Sequence, residues 1–498
     1  MAQRSEGSGR VDDGTDLPAE RDRPLTFHWL TRSDDRIRSL GFAPAATCGI
    51  EVARSSIIAE AMLAHEEGRF VSYSRRKSFY TGRRRYNGSA FTYANILSAV
   101  DDLLQFGLIE EERALPGQLG WQSRFRASPS LAEAFNDVEF RHQLINPIWL
   151  KDADGDLIDY RDTDATFRMA RELRAINDAL ASLEIDVSSL DVVRSRHHII
   201  VDGAYYRPTK PVLRRIFNRG SFRKGGRAYG WWQSLPKPRR QQILIDGEMV
   251  SEPDFAQFHP SLLYALSGGH LDGDAYETGV FSREQGKLAF NVALNTATVQ
   301  GTIAALSNKP HWTLSRADTA GLLDALARRN APIARYLHAD QGIELMNLDS
   351  RITMLALGRC IAAGIPTLPV HDSMLTLRRY EGRVAEIMEE SAELVVGRPK
   401  PCRVSVSGLQ VPQVPSGGSL SFSFPFQLAL FPVLASSPLI GELVRSLRAS
   451  LGLSQASLAV RLGCSQPHIA NVEAGRHRLG AWAQNRVRDL VDGLGDLG

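Results

Sequence analysis

The stretch from Ile243 to Ala265, ILIDGEMVSEPDFAQFHPSLLYA, constrains the fold more than any other part of the chain. It begins with an apolar strand that runs into Asp246-Gly247, a dipeptide that readily takes the positive φ values of a tight hairpin turn. After Asp254, apolar residues recur at helical spacing. The pattern predicts a β-hairpin whose return strand ends at Asp254, where the chain passes into a helix and the carboxylate is free to project.

A second acid follows a strand in the same way. In residues 364–377, an apolar run delivers His371-Asp372-Ser373 to a turn, and a second apolar run begins the return strand. Taken singly, an Asp at a strand end is more often a turn or helix cap than a metal ligand. Two carboxylates on neighbouring strands, however, could hold two divalent cations about 4 Å apart, an arrangement that serves displacement at phosphorus.

The segment between the two acids predicts a helix with a polar face. Arg283, Lys287, Asn291 and Asn295 recur every four residues, so two cations stand at the start of one helical face and two amides continue it. Such a face suits a triphosphate. The alternative is a solvated surface helix, which fits less well because the face carries no acidic partners for its cations.

In their order, these motifs resemble the palm and fingers of the DNA polymerase I superfamily (family A), which includes the phage-type single-subunit RNA polymerases. The resemblance covers about residues 207–390. The motifs that carry it are Asp254-Phe-Ala-Gln-Phe, Arg283-x3-Lys287 followed by Phe290-Asn291, Val370-His371-Asp372-Ser373, and, more weakly, Gly226-Arg227-Ala-Tyr229. Only 33 residues separate Asp254 from Lys287 and 85 separate Lys287 from Asp372, so the fingers would be compact.

The resemblance implies roles for individual residues. Asp254 and Asp372 would bind two Mg²⁺ ions, for which Mn²⁺ could substitute, and Lys287 would act with them in catalysis. The nucleoside triphosphate would be bound by a larger set: Arg283, Lys287, Asn291, Asn295, His259 and Arg227. His371 would contact the primer terminus. Asn295-Thr296 stands where these enzymes carry Tyr-Gly, and His259 where the DNA enzymes carry a Glu that excludes a ribose 2′-hydroxyl, so sugar preference stays open.

Residues 151–245 are predicted to contain thumb-like helices and a basic segment. Phe167–Leu183 is an amphipathic helix that core packing alone would also explain. Residues 207–240 hold eleven Lys or Arg and no acid, interleaved with aromatic residues, a mixture typical of channels that grip a nucleic acid strand. The predicted primer and template contacts in this segment are Arg223, Lys224, Trp231 and Trp232.

The remaining segments predict flanking modules. Residues 1–25 lack apolar periodicity and are expected to be disordered. Residues 26–150 have the outline of a winged helix, with a basic and aromatic segment at 73–86 that is suited either to phosphate contact or to a protein-binding surface. Residues 246–407 would form the palm and fingers, and residues 408–438, rich in Pro, Ser and Gly, a linker.

Residues 439–498 resemble the repressor-type helix-turn-helix family. Three short helices are predicted, with Ser454 and Ser465 as N-caps. The resemblance implies that the major groove would be read by Gln455, Gln466, His468 and Asn471, and that Arg476 would contact a phosphate. A vestigial or protein-binding bundle is the alternative.

Composition excludes some classes of protein. The chain has 498 residues, a net charge of +3 and four scattered cysteines without C-x-x-C spacing, which argues against a zinc site or a disulfide framework. It contains no apolar run of 18 residues. We therefore expect a cytoplasmic, nucleoid-associated bacterial protein that binds no membrane; its oligomeric state is left open.

The predicted architecture is α+β, a right-hand polymerase palm with compact fingers between a winged helix and an all-α helix-turn-helix domain. The predicted activity is template-directed nucleotide polymerisation with DNA and nucleoside triphosphates as partners, as in DNA replication by a mobile element or phage. A single-subunit RNA polymerase or primase-like enzyme is one alternative. A non-catalytic DNA-binding replication initiator or transcriptional regulator is the other.

Overall fold

The structure is a computed structural model that mixes helices and strands, in agreement with the predicted α+β class. It describes residues 22–32, 34–42, 44–81, 83–115, 122–189, 191–194, 197–206, 211–406, 444–445, 448, 453–462 and 466–473. Within these ranges, no helix is long and apolar enough to cross a membrane.

The strands are short, and most belong to antiparallel pairs. Their bounds are β1 Arg23–Pro24, β2 Trp29–Thr31, β3 Val71–Tyr73, β4 Ile109–Glu112, β5 Ser123–Ala127, β6 Phe140–His142, β7 Ile148–Leu150, β8 Ile185–Val187, β9 Val193–Arg194, β10 Ile199–Val201, β11 Ala204–Tyr206, β12 Arg214–Asn218, β13 Ser221–Tyr229, β14 Ile243–Ile245, β15 Glu248–Ser251, β16 Asp254–Phe255, β17 Thr367–Val370, β18 Ser373–Leu377 and β19 Val404–Ser405.

The helices range from single turns to more than five turns. Their bounds are α1 Asp34–Ser39, α2 Cys48–Glu66, α3 Lys77–Tyr80, α4 Arg84–Asn87, α5 Tyr93–Gln105, α6 Pro129–Phe135, α7 Asp164–Leu180, α8 Lys237–Arg240, α9 Phe258–Leu266, α10 Arg283–Leu294, α11 Val299–Ser307, α12 Arg316–Arg329, α13 Gly342–Ala362, α14 Glu381–Val396, α15 Gln455–Leu462 and α16 Gln466–Glu473. Short 3₁₀ turns occur at Trp231–Ser234, Ala331–Tyr336 and Arg378–Tyr380.

The chain divides into two compact units. One comprises residues 1–161, 183–356 and 368–407, and the other comprises 162–182, 357–367 and 408–498. The predicted boundaries at 150 and 245 both fall inside the first unit, so the division does not separate the N-terminal segment from the region predicted to be the palm.

The N-terminal part of the first unit contains two packed helices and a small sheet. Helix α2 packs against α5, and β4 pairs with β5 in a four-stranded sheet of order β1-β3-β5-β4. Thr92 caps α5, because its side chain accepts a hydrogen bond from the Asn95 amide at 3.2 Å. Arg23 and Pro24, expected to be disordered, instead pair with β3. The rest of that prediction, residues 1–21, lies outside the described residues.

The largest sheet carries the two acids. Its strand order is β19-β16-β18-β15-β14-β8, with β17 paired to β18. The predicted hairpin turn is confirmed, since Asp246 and Gly247 have φ values of 50° and 79° between β14 and β15. The return strand β15 ends at Ser251, three residues earlier than predicted, and Asp254 begins the separate strand β16. After β16 the chain enters α9, so Asp254 still lies where a strand passes into a helix.

In the second unit, α7 corresponds to the predicted helix Phe167–Leu183 but begins and ends three residues earlier. A capping box explains the start, because the side chains and amides of Thr163 and Thr166 bond reciprocally. The predicted linker, residues 408–438, lies outside the described residues.

Candidate active site

The structure brings the two predicted acids close together, with Asp254 in β16 and Asp372 in the turn that precedes β18. Strand β16 runs antiparallel to β18 with Asp254 opposite Ser373, and the Phe255 amide lies 3.4 Å from the Asp372 carbonyl oxygen. Burial, followed by the negative charge of Asp372, raises the pKa of Asp254 from 3.8 to about 6, while Lys237 and Lys287 oppose the shift. Two carboxylates that repel each other in a half-buried site form a place where a cation would be stabilised.

The donor set fits magnesium better than a transition metal. Within the described ranges, no three His, Cys, Asp or Glu side chains cluster as a metal site, so this site offers two carboxylates alone. Mg²⁺ is commonly held by one or two carboxylates while it keeps several waters and takes phosphate oxygens from a substrate. The residues present therefore suit a metal that arrives together with a triphosphate.

Helix α10 carries the predicted triphosphate-binding face. Ser282 and Gln285 form its capping box, and Gly286 allows it to approach a neighbouring loop: a Cβ there would lie 2.2 Å from the Tyr276 carbonyl oxygen. Lys287 is exposed and close enough to Asp254 to lower its pKa. The face thus presents a cation to the carboxylate pair.

Two members of that face differ from the prediction. Arg283 is not free for a phosphate, because its guanidinium pairs with Asp274 and lies 5.4 Å from the centre of the Tyr276 ring. Asn295 lies at the C-cap, beyond the helical repeat, and its side chain donates to the Asn291 carbonyl at 2.8 Å. Asn291 itself is half-buried.

A buried acid that the sequence analysis missed joins Arg227 to His259. Asp349, on α13, has a fully buried side chain that accepts hydrogen bonds from two nitrogens of Arg227, and its Oδ2 lies 3.1 Å from Nε2 of His259. Burial alone would lower the pKa of Arg227, but the Asp349 carboxylate outweighs it and the pKa is raised. In the sequence, the signal that pointed to Asp349 was its position as a single acid at the start of a mostly apolar predicted helix.

The assignment of Arg227 as a free phosphate contact therefore needs correction. Its side chain is 16% exposed and its charge is already paired with Asp349. The arginine and His259 are held by one carboxylate, so the three side chains form a fixed group. We call Arg227, Asp349 and His259 the Asp349 cluster.

His371 is a half-buried, neutral imidazole. Burial, followed by the charge of Arg227, lowers its pKa to about 4. Its φ of 56° is left-handed, a conformation that is uncommon outside glycine, and its carbonyl accepts a hydrogen bond from the Thr353 hydroxyl at 3.0 Å. The ring lies edge-on to Tyr229, with 5.8 Å between centroids. The histidine is thus locked beside Asp372.

Glu252 is a second acid that the sequence analysis missed. Its side chain is 7% exposed, pairs with Arg240 at 3.1 Å and accepts a hydrogen bond from the Ser373 hydroxyl at 2.8 Å. It also helps to raise the pKa of Asp254. Lying two residues before Asp254, it adds negative charge behind the carboxylate pair; no signal in the sequence distinguished it from a surface acid.

The structure corrects part of the prediction that the basic segment contacts a nucleic acid strand. Its cations are compensated by acids from elsewhere in the chain: Arg219 pairs with Asp340, Arg227 with Asp349, Arg239 with Asp191 and Asp202, and Arg240 with Glu252. The sequence analysis counted charges only within residues 207–240, so it could not detect acids elsewhere in the chain that pair with these cations. Arg223, which is exposed, and Lys224, which is half-buried, still fit a strand contact.

The predicted aromatic contacts of this segment are core residues. Trp232 is fully buried, and its indole N–H donates to the Pro369 carbonyl at 2.9 Å. Trp231 is 4% exposed. Neither ring is available to stack on a base, because both fill the interior beneath the segment.

The N-terminal basic segment shows the same pattern. Arg75 pairs with Glu111, and Arg85 with Asp159. Tyr80 and Tyr86 are buried and donate to backbone carbonyls, so they support the fold. The cations that remain exposed are Arg76, Lys77 and Arg84.

In the C-terminal segment, the described residues form the helix pair α15 and α16. Leu458, Ala459, Ile469 and Val472 are buried. Gln455 differs from the prediction, since its amide donates to Glu473 Oε2 at 2.7 Å inside the segment. Gln466 is exposed, as a base contact requires. The side chains of His468 and Asn471, and all of Arg476, lie outside the described residues.

Comparison with known proteins assigns one part of the chain. Residues 439–495 match the family described as a helix-turn-helix domain. A search of curated proteins gives no match. The chain therefore carries a DNA-binding helix-turn-helix domain at residues 439–495.

Proposed function

We propose that this chain, with its DNA-binding helix-turn-helix domain, is a template-directed nucleic acid polymerase. The observation that carries the proposal is the proximity of Asp254, in β16, to Asp372, in the turn that precedes the adjacent antiparallel strand β18, with Lys287 near enough to act on the Asp254 charge. Two carboxylates and a lysine are what transfer of a nucleotidyl group requires: ligands for divalent cations and a cation for the phosphates.

The two acids would hold two Mg²⁺ ions, for which Mn²⁺ could substitute. When bound, such ions lower the pKa of an attacking hydroxyl and stabilise a leaving pyrophosphate. Lys287 neutralises phosphate charge and is placed to donate a proton to the leaving group. His371, neutral and fixed by its backbone, orients the chain end beside Asp372. The Asp349 cluster binds at the sugar side of the nucleotide.

The preferred substrate is a deoxynucleoside triphosphate on a DNA template, as replication of a mobile element or phage would require. An RNA-polymerising or primase-like enzyme would use the same residues. The second candidate function is a non-catalytic initiator or regulator. It is favoured by one specific observation: the part of the chain that matches a known family, residues 439–495, is a helix-turn-helix domain.

The test is nucleotide incorporation by the purified full-length chain. Primed and unprimed templates are each incubated with Mg²⁺ or Mn²⁺ and with dNTPs or NTPs in separate reactions. Asp254→Asn and Asp372→Asn should each lower incorporation to less than about a hundredth of the parent rate, because each removes a metal ligand. Asp340→Asn is the matched control, since Asp340 pairs with Arg219 at the surface.

Incorporation by the parent and by Asp340→Asn, with loss in both site variants, supports the proposal. A parent that binds duplex DNA but incorporates nothing under any condition would establish the regulator instead. Cooperative urea unfolding of Asp254→Asn and Asp372→Asn, with neither variant less stable than the parent, separates lost chemistry from lost folding.

A further inference from the structure

We propose that a cavity in the N-terminal part of the chain binds a single unstacked nucleobase, presented by a free nucleotide or by single-stranded DNA. The cavity has a volume of about 260 Å³. We call it the N-terminal cavity; six of its lining residues carry the argument: His28, Phe79, Arg83, Asn87, Gln122 and Trp149. Its volume is near the lower end of small-ligand sites, about 300 Å³.

His28 supplies a buried ring nitrogen without a protein partner. It is 5% exposed, and its Nε2 is buried and makes no hydrogen bond to any described residue. Burial lowers the pKa of His28 well below its ordinary value, so the ring is neutral. The Nε2 of a neutral imidazole donates or accepts a hydrogen bond according to the tautomer. A buried polar atom of this kind calls for a hydrogen-bonding group on a ligand, and the edge of a nucleobase carries both donors and acceptors.

The walls suit a planar ring. Phe79 is half-buried, and the Arg83 guanidinium lies 4.4 Å from the centre of its ring. The indole N–H of Trp149 is already used, because it donates to the Asn146 carbonyl at 2.9 Å, so this side chain offers an apolar surface. Aromatic rings and guanidinium planes are the surfaces on which single bases stack.

The polar groups suit a nucleobase edge with an attached phosphate. Asn87 and Gln122 each offer both donors and an acceptor. Among the described lining residues, Arg83 contributes the single positive charge. Its acidic partner Asp156 is 3.8 Å away and 74% exposed, a weak contact that a phosphate could replace. No carboxylate lies among the described lining residues, so the lining favours an anionic or neutral ligand over a cationic one.

The experiment uses the full-length chain carrying Asp254→Asn and Asp372→Asn, in EDTA, so that the carboxylate pair contributes no metal-dependent binding. Isothermal titration calorimetry is performed with AMP, with dTMP and with ribose 5-phosphate, which lacks a base. We expect saturable 1:1 binding of at least one nucleotide and binding of ribose 5-phosphate weaker by about tenfold or more, because the base contacts are absent. Because this variant lacks both proposed metal ligands, absence of nucleotide binding here would count against the cavity alone. It would leave the result of the polymerase assay unaffected.

A second arm identifies the source of the base. A single-stranded oligonucleotide of about 12 nucleotides is compared with an abasic one of equal length, because stacking and edge contacts need bases whereas charge attraction does not. Competition by AMP or dTMP would show that strand and free nucleotide share the cavity. Binding of the strand alone would assign the cavity to nucleic acid, and binding of the nucleotide alone would assign it to the free ligand.

Variants locate the site. Arg83→Gln and Asn87→Ala should each weaken binding about tenfold, whereas Arg84→Gln, an exposed neighbour outside the cavity lining, should change it by less than about twofold. His28→Phe should abolish binding; if that variant does not fold, Asn87→Ala carries the test. Absence of saturable binding in both arms, equal binding of ribose 5-phosphate, or an equal loss in Arg84→Gln would each overturn the proposal.

Discussion

The imidazole Nε2 of His259 lies 3.1 Å from the buried carboxylate of Asp349, which is also the ion-pair partner of Arg227. One side chain on α13 thus holds two residues that come from different parts of the chain. Because Asp349 is fully buried, the group has few alternative arrangements.

The first prediction concerns the stability of this group. Asp349→Ala should lower the free energy of unfolding by about 3–5 kcal/mol, because it leaves the largely buried Arg227 charge without its partner. Asp340→Ala is the comparison. It breaks an ion pair to Arg219 in which both side chains are more than a third exposed, and it should cost less than about 1 kcal/mol. Urea unfolding measures both; equal losses would contradict the argument.

The second prediction concerns Asp254 and pH in metal-free protein. Its pKa is raised to about 6, so between pH 4 and 6 the folded chain keeps a proton that the unfolded chain loses. The free energy of unfolding therefore falls as the pH rises through this window, and above the window the full loss of stability remains. Because the side chain is partly exposed, we expect Asp254→Asn to raise the free energy of unfolding at pH 8 by only about 1–2 kcal/mol.

The measurement is urea unfolding in EDTA at pH 8 and at pH 4.5, where the gain should shrink. Added Mg²⁺ should stabilise the parent more than Asp254→Asn, since the variant lacks a charged ligand. If the variant is no more stable than the parent at pH 8, the charge of Asp254 beside Asp372 does not lower the free energy of unfolding.

The third prediction concerns sugar choice by the proposed polymerase. The bond to Asp349 holds the His259 ring, so its volume should act against a ribose 2′-hydroxyl while the aligned contact that would select ribose, worth about 1 kcal/mol, is missing. We expect a modest preference for dATP over ATP, and His259→Ala should increase the use of ATP. The ratio of kcat/KM for the two nucleotides opposite one template base is the measurement. A parent that prefers ATP, or no gain in the variant, would favour the RNA-polymerising alternative.

The fourth prediction separates two glutamines of the helix-turn-helix domain. Gln466 is exposed, so Gln466→Ala should weaken binding to the selected DNA site by about 1–3 kcal/mol without changing stability. Gln455 bonds to Glu473, so Gln455→Ala should instead lower stability by about 1 kcal/mol. Selection from random duplexes identifies the DNA site, and binding and thermal unfolding of the two variants then measure affinity and stability.

The helix-turn-helix domain as a whole should be separable from the proposed polymerase activity. Deleting residues 437–498 should abolish site-specific binding and spare extension of a supplied primer.

The sequence by itself determined the local features of the fold. The turn at Asp246-Gly247 and the cap at Ser454, whose hydroxyl accepts a hydrogen bond from the Ser457 amide at 3.1 Å, occur where the residue pattern predicts them. Each depends on the backbone preferences of a few consecutive residues, or on a side chain that reaches an amide three positions away, so each could be recognised without knowledge of the rest of the chain.

Only the tertiary structure decided which charges and rings are available. Arg227 and Asp349 are separated by 122 positions, and Trp232 donates to a carbonyl 137 positions away. The sequence analysis took that arginine as a phosphate contact and that indole as a stacking surface, because both belong to a basic, aromatic segment. Burial and ion pairing depend on which distant residues the fold brings into contact, and no local pattern encodes that.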